Sequence, residues 1–383
     1  MNKQVVNAGD VVIVGSFPKL QRVLQYDTLS EYLRRKLLVV YLRRLPYGRR
    51  WKDRPEIKHR HLFLREMRIY KHFFFNRGVL ALFRNKKPAL VIFSQYATPT
   101  SFMLALFCLI QKIPFVLWAE RPGVTPEAEL GILSSILTKM VRKCLLTPFN
   151  FGAAEIWPVG PLAEESYRNL LNRQREFCIV PLPLNLNDFT KIGIRNEVNC
   201  NNLRFVYVGE LSKRKGFDLV LMAFETIAKK FNNYTLNVYG DGEARSELEA
   251  LSEINPLIVY HGFKELKEIP NVYAGTDIAI CPSRHDGWGN NIIEALAAGT
   301  YVISTARADS SVFSINNING RILRSLDHNE LSTLLSDILS DPDRFKSRFS
   351  REVSRRSVEE LSFDNISMLM VSRINRILSE DRS

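Results

Sequence analysis

Cysteine is scarce: five residues in 383, Cys108, Cys144, Cys178, Cys200 and Cys281. The count is odd and no two stand at a two-residue spacing, which leaves no disulfide framework, zinc knuckle or paired-thiol redox motif and points to a reducing compartment without a structural metal. Long apolar runs are missing as well. The best, SFMLALFCLI at 101–110, is closed by Gln111 and Lys112, well short of the roughly 20 residues a membrane span needs, and reads as a buried core helix. The first residues, MNKQVVNAGDVVIVGSF, include an acid and only a brief apolar run, unlike a secretory signal, so the chain is expected to stay in the cytoplasm. Phosphate-binding signatures are also absent. The turn after VVIVG has one glycine before Ser16, Phe17 and Pro18, and Gly240-Asp241-Gly242 lacks a third glycine, which disfavours a nicotinamide dehydrogenase; no Walker A stretch exists to support a P-loop ATPase.

Acidic residues are sparse in the first half only. Residues 1–180 hold 29 Lys and Arg against 13 Asp and Glu, the remainder 24 against 27, and Arg34 to Lys87 alone has 18 basic and 3 acidic residues. Anionic lipid, nucleic acid or a phosphate-bearing substrate would each answer such an excess, as would a solvated charged face. Within it, TLSEYLRRKLLVVYLRRL over Thr28–Leu45 sets Leu29, Leu33, Leu37, Tyr41 and Leu45 on one helical stripe with Arg34, Arg35, Arg43 and Arg44 off it. That pattern predicts a helix lying on an anionic membrane or packed on its own domain.

What is present is a rhythm of buried strands and helices. VVIVG (11–15), ALVIFSQ (89–95), PFVLWAE (114–120) and EFCIVPLPL (176–184) read as strands; after the polar NEVNCNN (196–202) come LRFVYVG, a helix from about Phe217 to Phe231, YTLNVYG, IVYHG, DIAICPS, a helix after Gly289, and YVISTA. Alternation of this kind gives doubly wound parallel sheets. The expected organisation is two Rossmann-like domains, residues 1–195 and 203–361, followed by an amphipathic terminal helix, 362–383. Ligands of such sheets bind at the carboxyl ends of the strands, in the following turns.

Two turns of the second half carry the chemistry. In FVYVGELSKRKGFDLV, Lys213, Arg214 and Lys215 precede Gly216 at the mouth of a helix, where cations beside free N–H groups suit a phosphate. In ICPSRHDGWGNNIIEALAAG, a glycine-rich turn leads into a helix near Asn290, with Asp286 and Glu294 eight positions apart. Gly287 and Gly289 let a polyhydroxylated ligand approach the backbone, and the helix start contributes about half a positive charge. Ordinary helix capping would account for the same Asn and Glu.

From Leu203 to about Asp341 the chain resembles the nucleotide-sugar domain of a family-4 retaining glycosyltransferase of the bacterial surface-polysaccharide type, with the GT-B fold of two Rossmann-like domains facing across a cleft. The motifs VGEL…KGFD, LNVYGDGEARSELE, YHGF and PSRHDGWGNNIIEALAAG occur in order. The resemblance implies that Glu294 binds the donor ribose, that Asp286, Gly287, Trp288 and Gly289 contact the transferred sugar, and that Lys215 holds the diphosphate. An arginine common among relatives is Glu210 here, and Arg214 or Lys213 is left to replace it. Gly15, Ser16, Glu120, Arg121, Gly240, Phe263, Asn290 and Asn291 complete the candidate substrate contacts. Glu120 and Arg121 stand in Trp-Ala-Glu-Arg-Pro-Gly where relatives often have His-Gly.

The resemblance further implies transfer of a sugar from a nucleoside-diphosphate sugar (EC 2.4), without metal or other cofactor, by front-face attack on the anomeric carbon. The expected acceptor is a lipid-linked oligosaccharide at the inner face of the cytoplasmic membrane, with an anionic membrane surface and no nucleic acid as partner. A non-catalytic sugar-nucleotide-binding relative and a basic nucleic-acid-binding protein are the alternatives.

Overall fold

The computed structural model describes residues 6–45, 55–70, 73–76, 78–84, 86–122, 132–171, 175–192, 201–314 and 317–380. The chain divides into two units, Met1–Pro183 with Phe363–Ser383, and Leu184–Ser362.

The first unit runs β1 (Val11–Gly15), α1 (Leu20–Tyr32), β2 (Leu37–Tyr41), β3 (Arg60–Phe63), β4 (Glu66–Tyr70), β5 (Phe73–Asn76), α2 (Ala81–Arg84), β6 (Leu90–Phe93), α3 (Pro99–Ile110), β7 (Phe115–Ala119), α4 (Ile132–Gly152), β8 (Glu155–Pro158) and α5 (Pro161–Leu170). Six of these strands form a parallel sheet in the order β3-β2-β1-β6-β7-β8, and β4 pairs with β5 in a separate antiparallel ribbon. Val12, Val14, Leu38, Val40, Val91 and Phe93 supply the sheet's part of one core. Continuous aliphatic runs of this kind are what a sheet covered on both faces requires.

The second unit runs α6 (Leu186–Thr190), β9 (Leu203–Val208), α7 (Phe217–Ile227), β10 (Tyr234–Tyr239), α8 (Arg245–Ile254), β11 (Ile258–Tyr260), α9 (Ile269–Ala274), β12 (Ile278–Cys281), α10 (Asn290–Ala297), β13 (Tyr301–Thr305), β14 (Gly320–Leu323), α11 (His328–Ser340), α12 (Pro342–Arg348) and α13 (Arg351–Arg356). Its sheet has the order β11-β10-β9-β12-β13-β14, all parallel. Both sheets are therefore wound alike, reversing direction beside their first strand. The last helix, α14 (Phe363–Glu380), belongs to the first unit: it packs on α1, and its Arg373 pairs with Glu155 and Glu176 at 2.6 and 2.8 Å.

Four expectations change. The helix over Thr28–Leu45 does not form, because α1 stops where Arg34 and Arg35 turn left-handed at φ 50° and 62°. The following LLVVY, rich in aliphatic and β-branched residues, becomes β2, and Leu29, Leu37 and Tyr41 are wholly buried. Part of the nearby basic excess is also internal, Arg43 being paired with Glu66 at 3.0 Å and Arg60 with Asp10 at 2.9 Å. SFMLALFCLI is a helix buried on one side only; Leu104, Ala105 and Cys108 face the core, whereas Met103, Leu106, Leu109 and Ile110 are exposed. EFCIVPLPL bridges β8 at Phe177 and bonds to it through Glu176, Cys178 and Val180. Pro181 and Pro183 have no N–H to extend that ladder, so no full strand forms.

Finally, residues 184–192 join the second unit instead of the first. Leu184 donates to the Leu361 carbonyl at 2.9 Å, α6 packs on α9 and α10, and Arg355 donates to the Phe189 and Ile192 carbonyls.

Candidate active site

β9 and β12 are neighbours, and the strand order reverses between them, so the turns leaving these two strands meet at the point where doubly wound sheets gather ligands. The sequence of the first turn makes it tight. Gly216 has φ 71°, and a Cβ there would lie 2.0 Å from the Pro282 carbonyl oxygen. Only glycine permits both the conformation and the approach. The contact draws the two turns into register: Arg284 and His285 donate their N–H groups to the Arg214 carbonyl at 2.9 and 3.3 Å. Arg284 also holds Asp218 bidentately, at 2.6 and 2.8 Å, and donates to the Lys213 carbonyl at 2.7 Å.

Lys215 Nζ meets Asp286 Oδ2 at 2.5 Å, with both side chains mostly buried. Arg214 is fixed by two contacts, Glu210 Oε2 at 2.6 Å and the His285 carbonyl at 3.2 Å. Glu210, standing where relatives commonly have arginine, thus anchors one. Lys213 contributes its exposed N–H, to Glu243 Oε1 at 3.1 Å.

α10 opens immediately after this turn. Gly289 caps it at φ 95°, and a Cβ there would lie 2.6 Å from Ser310 Oγ. The helix start leaves first-turn N–H groups without intrahelical acceptors, at Asn290 and Asn291. Glu294, one turn further on, is 8% exposed. Under these groups lies Cys281 at the end of β12: burial pushes its thiol far up, Lys215 acts to lower it, and Asp286 and Glu294 raise it further. One thiol therefore senses both acids and the lysine. Tyr207 of β9 sits in the same place, its hydroxyl donating to the Glu210 carbonyl at 2.7 Å, and its pKa is raised by burial and then by Cys281 and Glu210.

Lys215, Arg214, Asp286, Gly287, Gly289, Asn290, Asn291 and Glu294 thus come together at one end of one sheet. The Trp288 side chain turns inward, 3% exposed, against Phe313, with Nε1 lacking a hydrogen-bond partner among the described residues. Any ligand contact from Trp288 falls to its main chain. Gly240 follows β10 and bonds to the Gly262 carbonyl and the Tyr260 hydroxyl, and Phe263 is 43% exposed beyond β11. Gly15, Ser16, Glu120 and Arg121 belong to the other unit. There Gly15 ends β1 beside the Tyr41 ring and Ser94, while the Glu120 carbonyl, beyond β7, accepts from Tyr167 at 3.0 Å.

Sequence reasoning missed the support from the segment after β13. Ser310 donates to the Gly289 carbonyl at 2.9 Å through Oγ and to the Trp288 carbonyl at 2.9 Å through its N–H, and the Arg307 carbonyl accepts from Asp286 at 3.3 Å. No motif marks these residues; a short strand ending at Thr305 was the only signal. The chain's Asp-x-Asp triplet, Asp341-Pro342-Asp343, caps α12, with Asp341 accepting from the Arg344 N–H at 3.0 Å. Among the described residues no group of three His, Cys, Asp or Glu is arranged to hold a metal ion, and no helix is long and apolar enough to cross a membrane.

Residues 189–356 match the family described as Glycosyl transferases group 1. An uncharacterized 41.2 kDa protein in the cps region of Klebsiella pneumoniae is 26% identical over 140 residues, 37% of this chain and 38% of that protein. A 2-deoxystreptamine glucosyltransferase of Streptomyces kanamyceticus is 26% identical over 184 residues, 46% of each. The chain therefore spans less than half the length of these curated relatives. Solved structures match almost throughout: HepE of Anabaena, in complex with UDP and glucose, has a TM-score of 0.68 at 13% identity over 96% of this chain and 99% of that one. WaaG, a glycosyltransferase involved in lipopolysaccharide biosynthesis, has a TM-score of 0.62 at 15% identity over 95% and 99%. The fold is GT-B, two Rossmann-like parallel-sheet domains in one chain.

Proposed function

We propose that this chain is a retaining glycosyltransferase that moves a sugar from a nucleoside-diphosphate sugar to a glycan acceptor, a lipid-linked oligosaccharide in surface-polysaccharide synthesis at the inner face of the cytoplasmic membrane. The observation that carries the reading is the Lys215 and Asp286 pair, set beside Arg214 and the start of α10 with Glu294 in its second turn. The group 1 match over 189–356, the UDP complexes of HepE and the cps-region relative support it.

Departure of a diphosphate while the anomeric carbon gains positive character puts the main demand on stabilising leaving-group charge. Lys215 spends one of its three N–H donors on Asp286, and Arg214 spends two of five on Glu210 and His285, so each keeps donors for phosphate oxygens. The N–H groups of Asn290 and Asn291 and the helix dipole add a fixed positive end. Preorganised donors of this kind each lower the barrier by about 3 to 4 kcal/mol. In this reading Glu294 accepts from the ribose hydroxyls, and Asp286 with the main chain of Gly287, Trp288 and Gly289 holds the sugar. The departing phosphate takes the proton of the attacking hydroxyl. These cations and dipoles supply the neutralisation, without a metal ion.

A thermal-shift screen of UDP, GDP and ADP sugars tests the reading. One nucleotide at 100 times its dissociation constant should add about 2.7 kcal/mol of stability, and Lys215→Ala should abolish the shift. A chain that no nucleotide stabilises refutes the donor assignment.

A further inference from the structure

The first unit carries an apolar surface that its own fold leaves uncovered. On α4, Leu137, Met140, Val141, Cys144 and Phe151 recur at helical spacing, and all five are exposed; Leu137 and Met140 are 62% and 64% exposed, Phe151 67%. On α3, Met103, Leu106 and Ile110 repeat the pattern, with Ile110 67% exposed. The two helices pack together, and a Cβ built on Gly152 would lie 2.3 Å from Leu109 Cδ1. The C-terminal ends of the two helices, each bearing its stripe, therefore adjoin. Contiguous apolar surface of this kind on a folded protein marks an interaction site, whereas single exposed aliphatics do not.

Charge selects the occupant. Residues 99–112 and 132–152 contain no Asp or Glu but four basic residues, Lys112, Lys139, Arg142 and Lys143. Lys112, Lys139 and Lys143 are exposed. Two further cations sit at the helix ends: exposed Lys87 donates to the Gln111 carbonyl at 3.0 Å, and Arg175 caps α4 through the Asn150, Phe151 and Ala153 carbonyls. Glu176, the acid next in sequence to Arg175, is engaged by Arg373 and Arg376. On these two helices, among the described residues, an apolar stripe carries cations and no acid, which matches a lipid surface with negative headgroups: side chains enter the acyl boundary while basic side chains lie at the level of the phosphates.

We propose that the α3 and α4 face is the surface by which this protein docks on an anionic membrane, in place of the Thr28–Leu45 segment. The inference deepens the proposed transfer to a lipid-linked acceptor and rests on that reading for its biological purpose. It accounts for exposed leucine, methionine and phenylalanine that neither core uses.

Flotation of the full chain with phosphatidylcholine vesicles, alone or mixed with phosphatidylglycerol, tests it. Wild type should bind the mixed vesicles, with part of the binding lost in high salt. Met140→Ser with Phe151→Ser should weaken binding by about tenfold or more at any salt, and Lys139→Glu with Lys143→Glu should remove the salt-sensitive part. Both variants should keep the wild-type melting temperature, because the altered side chains are exposed. As an independent readout, the mixed vesicles should slow maleimide labelling of Cys144, measured against a Cys144→Ser background. Failure of wild type to float, or equal flotation of the apolar variant, overturns the proposal. So does a wild-type dimer in sedimentation that turns monomeric in the apolar variant, which would assign the face to a second copy. Nucleotide stabilisation, read in parallel, separates the hypotheses: flotation without it refutes the donor assignment alone, and the reverse refutes the docking surface alone.

Discussion

The two six-stranded sheets have the same strand order, yet they put their distinctive chemistry in different places. In the second unit it is concentrated in the turns at the switch point, where Gly216 lies against the Pro282 backbone and Gly289 against the Ser310 and Ala308 side chains, and where Lys215, Asp286 and Glu294 all act on one thiol. In the first unit the turn after β1 has no glycine pressed this closely, a Cβ on Gly15 meeting nothing closer than 3.6 Å. That unit's unusual features lie on its helices instead. A strand order therefore fixes where a ligand site can be, and the steric demands of the turns decide whether one unit is committed to a particular ligand.

The largest expected effect concerns the buried charges that brace each unit. Asp277 is fully buried and holds both Arg204 and Arg351, at 2.8 and 2.7 Å. Asp277→Ala should lower stability by about 3 to 5 kcal/mol, as when one partner of a buried pair is removed. Glu155→Ala should cost less, since Arg373 keeps Glu176. Denaturant titration of both checks this, and equal losses would make the units equivalent in this respect.

Next comes the contrast between turns. Gly216→Ala forces a Cβ against Pro282 and should cost about 2 to 4 kcal/mol together with nucleotide binding. Gly9→Ala in the first unit, also left-handed at φ 86° but with open space around it, should cost about 1 kcal/mol and leave binding intact. Melting with and without UDP measures both.

Glu294→Gln should weaken donor binding by about 1.5 to 3 kcal/mol without altering the fold, whereas Glu120→Gln in the first unit should leave nucleotide affinity unchanged. Calorimetry decides it. Turnover should likewise fall more with Lys215→Ala than with Lys213→Ala, and equal losses would mean a diffuse phosphate clamp.

The smallest effect is a pH dependence in the first unit. His59 lies between Asp27, 2.6 Å from Nδ1, and the Tyr41 hydroxyl, 3.1 Å from Nε2, with His61 nearby. Burial pulls its pKa below the ordinary 6.5, against the raising effect of Asp27. As pH falls through about 6.5, the unfolded chain gains a proton that the folded chain refuses, so stability present above that pH declines. Melting temperature followed from neutral to mildly acidic pH should show the decline, and His59→Gln should flatten it.

The second unit was the more legible for a physical reason. Its site is built from turns whose glycines and charged residues are consecutive in sequence, so Lys215-Gly216 and Asp286 through Glu294 announce it. Ser310 and Arg307, which brace the same turn from the end of another strand, left no such trace. In the first unit LLVVY satisfied a helical stripe and a buried strand equally well, because a run apolar at nearly every position has no decisive period. The left-handed turn at Arg34 and Arg35, whose N–H groups close back on the Glu31 and Ser30 carbonyls, settled it.

The sequence by itself determined that two doubly wound sheets follow one another, and that the chemistry of the second lies after β9 and β12, since buried parallel strands must be continuously apolar and tight turns need glycine at fixed positions. Only the tertiary structure decided which apolar residues are core. Leu29 and Leu37 are enclosed while Leu137 and Ile110 stand in solvent, because enclosure depends on which faces other elements cover, and no local pattern encodes that.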